Sequence, residues 1–400
     1  MRLQTFGTVQ PPNASVNASR RRWLRLAITI AIGARVAVFV FAMFWPIPNE
    51  RAEPVSPLAP QAYFDFDFYV ESLMRYLAWE GVVEQFTKFY DDPTGKAFGP
   101  IIAGPVFPLL IGASGFVDGH LLPLALSYLA LGSALAVAWL IWLARCPIPG
   151  AWLVLFAVLP NPIWYVLVVS PDMLFAGEFA AFYFAYFAAT PGTWRRTGVW
   201  TSSLVLMLLT RPNALSVALF VVVDSAIMFL RRGRISVRRG IGMALLMSAA
   251  LLYLLPYFLF EMNKAGTALT YFGHAPQTYV QGIYPLLPGW LDRPLSWLSL
   301  LGAKILYFFG LRPSYGVTPT ALVWLRGAAG VILLPGLLWL LARGPRREAL
   351  LVGLFMLPFL LGPAQDRYYL AIYPLLFLYG VKAWTTLASL SLSFVPRAAK

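Results

Sequence analysis

Apolar runs of about 18 to 20 residues, separated by short arginine clusters, constrain this chain more than any other feature. A soluble domain has nowhere to bury many such runs in succession. A bilayer does, because ~20 helical residues match a hydrocarbon layer about 30 Å thick. Composition agrees: 59% of the 400 residues are hydrophobic and 12% are charged, against about a quarter charged in ordinary soluble domains. The net charge of +14 would suggest a nucleic-acid partner in a soluble protein. Here the basic residues sit between apolar runs, as cytoplasmic loops do under the positive-inside rule, so no nucleic-acid partner is expected. One cysteine, Cys146, excludes an intramolecular disulfide and a thiolate metal cluster. Two histidines, His120 and His274, argue against a His-rich metal site.

The pattern predicts an all-α, polytopic bundle of about ten spans, with a range of nine to twelve at ~20 residues each. Residues 1–25 form a cytoplasmic tail ending in Arg20, Arg21, Arg22 and Arg25. The run Leu26–Trp45 is too long for a cleaved signal and reads as a retained anchor. Further spans are expected at about 121–143, 151–169, 173–190, 198–210, 212–230, 241–260, 321–341, 348–363 and 368–392. Residues 26–392 then form one membrane domain, and 393–400 a cytoplasmic tail.

Two segments break the pattern. Residues 46–100 hold nine of the 17 acidic residues and four basic ones, a local charge of −5 that marks a first outer loop. Its start is Pro-rich and expected to be extended. Phe66, Tyr69, Val70, Leu73, Met74 and Leu77 then recur at helical spacing, with Asp67, Glu71 and Arg75 on the opposite face. That is an amphipathic helix lying on the membrane surface. Residues 261–320 form a second large outer loop, in which Leu298–Leu311 reads as a re-entrant or interfacial piece.

Charges outside the cytoplasmic clusters are expected almost entirely on the outer side: Asp65, Asp67, Asp172, Arg211, His274, Lys304, Arg312, Asp366 and Arg367. The turn Thr210–Asn213 joins two spans, the first of which rises only about 20 Å, so Arg211 should lie inside the protein. A buried guanidinium needs an anion, either a ligand phosphate or an aspartate such as Asp172. Asp65-Phe-Asp67 reads as a helix cap with a first-turn acid, or as a general base or metal-binding pair. Asp172 reads as a helix cap, or as a further acid in the same cavity. Gln365, Arg367 and Tyr368 open the last span, where they anchor it or join Arg211 and Lys304 in an anion clamp. His274, Asn213 and Gln365 are candidate loop contacts for an acceptor.

The order of these motifs resembles the GT-C class of integral membrane glycosyltransferases, which use polyprenyl-phosphate sugars. It looks most like the phosphatidylinositol-glycan mannosyltransferase V type and its bacterial relatives. Asp67-Phe-Tyr69 leads to Val106-Phe107-Pro108-Leu109-Leu110. Asn161-Pro162 and Ser170-Pro171-Asp172-Met173-Leu174-Phe175-Ala176 match a second stretch, and Thr210-Arg211-Pro212-Asn213-Ala214 a third. Arg367-Tyr368 through Pro374 matches the last. Ala214 stands where the family usually has glycine, and the aromatic–acid pair is doubled as Phe64-Asp65-Phe66-Asp67.

The resemblance implies transfer of a mannose-like hexose from a polyprenyl-phosphate donor to a lipid-linked, glycan or protein acceptor, with inversion. Asp67 or Asp65 would be the base, and Arg211, Arg367, Lys304 and Tyr368 would hold the donor phosphate. No redox cofactor is implied. A divalent cation, Mg or Mn, bridging Asp65 and Asp67 stays open, as does a partner subunit. Two other classes remain: a lipid-linked-glycan polymerase or ligase, and a secondary transporter or flippase, which would carry midplane charges and broken helices.

Overall fold

A computed structural model describes residues 14–48, 54–58, 70, 106–114, 121–187, 193–211, 213–233, 236–249, 301–302, 304–306, 308–311, 319–361 and 366–393. Within them the chain is mostly helical, with a two-residue antiparallel pair, β1 (Ile47–Pro48) with β2 (Pro54–Val55), in the Pro-rich start of the first loop.

The first helix, α1, runs Ala14–Phe44. It begins well before the expected Leu26, because the Ala, Ser and Arg residues ahead of the apolar run are tolerated in a helix and need no burial. After α2 (Val106–Ala113) comes α3 (Leu121–Leu143), which coincides with its expected span.

The expected span 151–169 is not one helix. It divides into α4 (Gly150–Val158), an extended Leu159 (φ −62°, ψ 131°), α5 (Pro160–Trp164) and a non-helical run to Ser170. Pro160 forces the residue before it out of the helical region, and neither Pro160 nor Pro162 can donate to a helix ladder. The hydroxyl of Tyr128 holds the far end of the break, donating to the Ser170 carbonyl at 2.7 Å. The Asn161 amide donates to the Tyr369 hydroxyl.

Then follow α6 (Pro171–Phe187), α7 (Trp194–Thr210), α8 (Ala214–Arg232), a helical stretch at residues 237–249, α9 (Thr320–Arg343) and α10 (Arg346–Leu361). The last expected span is entered through a 3₁₀ turn, Asp366–Ala371, before α11 (Tyr373–Ser393). Pro374 explains the late start, since it fits only the first turn of a helix.

Among the described residues, four helices are long and apolar enough to cross a membrane: Ala18–Phe44, Leu122–Leu143, Ala214–Arg231 and Val323–Arg343. This marks the protein as membrane-embedded. The α9 and α11 helices meet at Gly336 and Gly380. A Cβ on Gly336 would strike the Leu376 carbonyl, and one on Gly380 the Ile332 carbonyl. Small residues that admit such close backbone contact are the usual adhesive of helices in lipid. Packed aromatics fill the bundle around α6, including Trp139, Phe179, Phe182 and Tyr183.

Candidate functional site

The helix break delivers Asp172 to the first turn of α6, one residue after Pro171, rather than to the cap position. A carboxylate there is favoured by the helix dipole. Its main partners are cations, however. Arg211 Nη2 lies 3.0 Å from Asp172 Oδ2, and Arg367 Nε lies 3.6 Å from the same oxygen. All three side chains are nearly enclosed, at 4% exposure for Asp172, 13% for Arg211 and 11% for Arg367.

Each cation arrives for a local reason. Arg211 caps the C-terminus of α7 in extended conformation, its amide donating to the Met207 carbonyl at 2.8 Å. Next to it, the Thr210 hydroxyl donates to the buried Glu178 at 2.8 Å and pins the end of α7 to α6. Arg367 comes from the 3₁₀ turn before α11. Tyr368 lies under both guanidinium groups, 5.3 Å from Arg211 and 5.5 Å from Arg367, and stacks on Phe359 at 4.9 Å. Two guanidinium groups thus converge on one carboxylate oxygen, and the aromatic face supports both planes. Such a cluster can hold a further anion, and guanidinium suits phosphate.

Of the residues singled out in the sequence, Asp172, Arg211, Arg367 and Tyr368 therefore meet. Lys304 is buried and donates to the Leu360 carbonyl at 3.0 Å, at the C-terminal end of α10, where a cation is favoured. Asn213 precedes α8 without a side-chain cap, and its carbonyl accepts from the Ser216 hydroxyl at 2.7 Å. Asp65, Asp67, His274 and Gln365 lie outside the described residues. So does the amphipathic helix apart from Val70, which packs against the apolar core. Among the described residues no group of three His, Cys, Asp or Glu is placed to hold a metal ion.

The expectation that stray charges lie on one side needs correction. Asp224 lies inside the candidate span Ala214–Arg231, and Arg35 inside Ala18–Phe44. Asp224 is 2% exposed and receives Arg347 through both oxygens, at 2.9 and 2.7 Å. Arg239 and the Tyr186 hydroxyl also bond it, each at 2.8 Å. Nearby, Glu348 accepts from the hydroxyls of Tyr183, at 2.9 Å, and Tyr379. A lone aspartate in an otherwise apolar run was the available signal for Asp224. Its partners had been absorbed into the basic clusters.

No protein-family model matches the chain, and no curated protein matches it.

Proposed function

We propose that this chain is an integral membrane glycosyltransferase that moves a hexose from a polyprenyl-phosphate donor to an acceptor hydroxyl. The observation that carries this reading is the cluster of Asp172, Arg211, Arg367 and Tyr368, in which two guanidinium groups meet at one carboxylate oxygen over one aromatic ring. It is assembled from three of the four motifs behind the resemblance to the GT-C class. In this reading the chain has about ten spans with both termini in the cytoplasm, in a bacterial inner membrane, and the cluster faces the outer side.

The chemistry follows from the charges. The acceptor oxygen attacks the anomeric carbon while the bond from that carbon to the phosphate oxygen breaks, inverting the centre. The hydroxyl proton passes to a carboxylate, Asp67 or Asp65, and the lipid phosphate leaves as an anion. Arg211 and Arg367 stabilise the charge that develops on that phosphate, where preorganised donors act most strongly. Tyr368 fixes their planes.

The test is transfer by purified protein in lipid from a panel of radiolabelled polyprenyl-phosphate hexoses. Arg211→Gln and Arg367→Gln should each reduce transfer at least about 100-fold, the loss typical of removing one transition-state donor. Asp67→Asn or Asp65→Asn should abolish it while donor binding persists. Transfer indifferent to all four changes would refute the site.

A second reading, a secondary transporter or flippase, draws on two observations: Arg35 within a candidate span and the interrupted segment 159–170. Movement of a lipid or solute across vesicles by the same protein, without sugar transfer, would select it.

A further inference from the structure

Arg35 stands apart from both carboxylate clusters. It lies within the candidate span of α1 and is 2% exposed. Its Nη1 donates back to the Ala31 carbonyl at 2.9 Å, and its buried Nε has no hydrogen-bond partner. The ion pairs of the described acidic side chains go to Arg211, Arg239, Arg347 and Arg367, and none goes to Arg35. Arg35 opens into a cavity of about 30 Å³, walled mainly by Trp139, Phe156, Met173, Leu370 and Tyr373. Tyr373 is 1% exposed, and its buried hydroxyl also lacks a partner. Two unmatched polar groups thus border one partly open cavity between α1, α3, α4, α6 and α11.

We propose that this cavity is an intramembrane binding site for a small monovalent anion of chloride or formate size. Three arguments converge. A guanidinium keeps its charge at any accessible pH, so burial cannot be relieved by losing a proton. Cations at this depth are retained only when paired or solvated, and water supplies no opposite charge. The space, about twice the minimum for one water, admits a small anion with a water. The anion accepts from Arg35 and from the Tyr373 hydroxyl. Because Tyr373 opens α11 and Leu370 lies in the preceding 3₁₀ turn, an occupied site also braces the segment that carries Arg367.

The test is binding of [³⁶Cl]chloride to the full chain purified in detergent, by scintillation proximity, with bromide, formate and gluconate as competitors. Wild-type protein should bind saturably and release the label to bromide and formate but not to bulky gluconate. Arg35→Gln should lose binding. Tyr373→Phe should bind about tenfold more weakly, the loss expected for one hydrogen bond to a charged group. Arg211→Gln should still bind, which separates this site from the Asp172 cluster. If Arg35→Gln does not fold, the Tyr373→Phe affinity decides. Absence of saturable binding to wild type would overturn the proposal and leave a water-filled cavity. Binding undiminished by the Arg35 and Tyr373 changes would overturn it by placing the ion elsewhere.

Discussion

Asp172 is the residue whose neutralisation should cost the bundle most. Arg211 and Arg367 approach one oxygen of it at 3.0 and 3.6 Å. Their contacting nitrogens therefore lie no more than about 6.6 Å apart, and at an effective dielectric of about 20 their repulsion is at least about 2.5 kcal/mol. The carboxylate now masks that repulsion. Asp172→Asn removes two attractions and exposes it, so a loss of about 3–5 kcal/mol is expected, as when one member of a buried pair is deleted. Arg211→Gln leaves the Asp172–Arg367 pair neutral and should cost less. The distinguishing result is the double variant: Asp172→Asn with Arg211→Gln should be more stable than Asp172→Asn alone by about 2–3 kcal/mol, because the second change removes the unmasked repulsion. Denaturant unfolding in detergent micelles, followed by tryptophan fluorescence, measures all four corners of the cycle. Additive losses, or an Asp172→Asn variant as stable as wild type, would refute the electrostatic account of the cluster.

Three other perturbations test the fold. Gly380→Leu should destabilise the protein by at least about 2 kcal/mol, because the side chain meets the Ile332 backbone of α9; an unchanged melting temperature would contradict the close approach. Asp224→Asn should cost about 2–3 kcal/mol, less than a fully buried pair because Arg347 is 46% exposed, and adding Arg347→Leu should recover part of the loss; stability measured in the same micelles decides. Burial pushes the Cys146 thiol, between α3 and α4, from an ordinary value of 9.0 up to about 11. The thiol form is therefore favoured in the folded protein. Alkylation by iodoacetamide should be about 100-fold slower than for an exposed thiol at neutral pH and should rise tenfold per pH unit up to about 11. The unfolded chain loses its proton first, so stability should fall above about pH 9. A labelling rate that levels off near pH 9 would refute the shift.

The sequence revealed helices best where helix and apolar run share their ends. Leu121–Leu143 is the clearest case, closed by Cys146-Pro147. It misled where hydropathy and backbone chemistry diverge. The run 151–169 is apolar throughout, yet Pro160 and Pro162 interrupt the ladder that apolarity alone does not guarantee. The Asp172–Arg211 contact was one of two legible partnerships, because a guanidinium buried at a turn between spans needs an anion; the expected short span 198–210 is in fact the 17-residue helix Trp194–Thr210, so a short span is not what buries it. The arrival of Arg367 at the same oxygen was not legible: it requires the 3₁₀ entry to α11, whose geometry depends on tertiary packing. Arg35 and Asp224 are single charges within apolar runs, and their burial depends on which face of the span packs inward, which hydropathy does not carry.

The two carboxylate clusters sit at opposite ends of α6, whose Asp172 and Tyr186 are separated by about 21 Å of helix. Each joins one aspartate to two arginines, yet they are built for different tasks. Asp224 is bonded through both oxygens, shares one with the Tyr186 hydroxyl, and has Arg239 tied to the Ser225 hydroxyl at 2.7 Å. Moving any one of these groups breaks several bonds, which suits a fixed brace between α6, α8 and α10. At Asp172 both ion pairs fall on a single oxygen, and Arg367 stands beyond hydrogen-bonding distance at 3.6 Å. Tyr368 supports both guanidinium planes from below and does not compete for their donors. A cluster that exchanges partners with an incoming phosphate needs this arrangement: cations already desolvated and oriented, meeting at a single carboxylate oxygen. The contrast between the two ends of one helix is therefore the strongest physical reason to look for ligand chemistry at Asp172 and for structural bracing at Asp224.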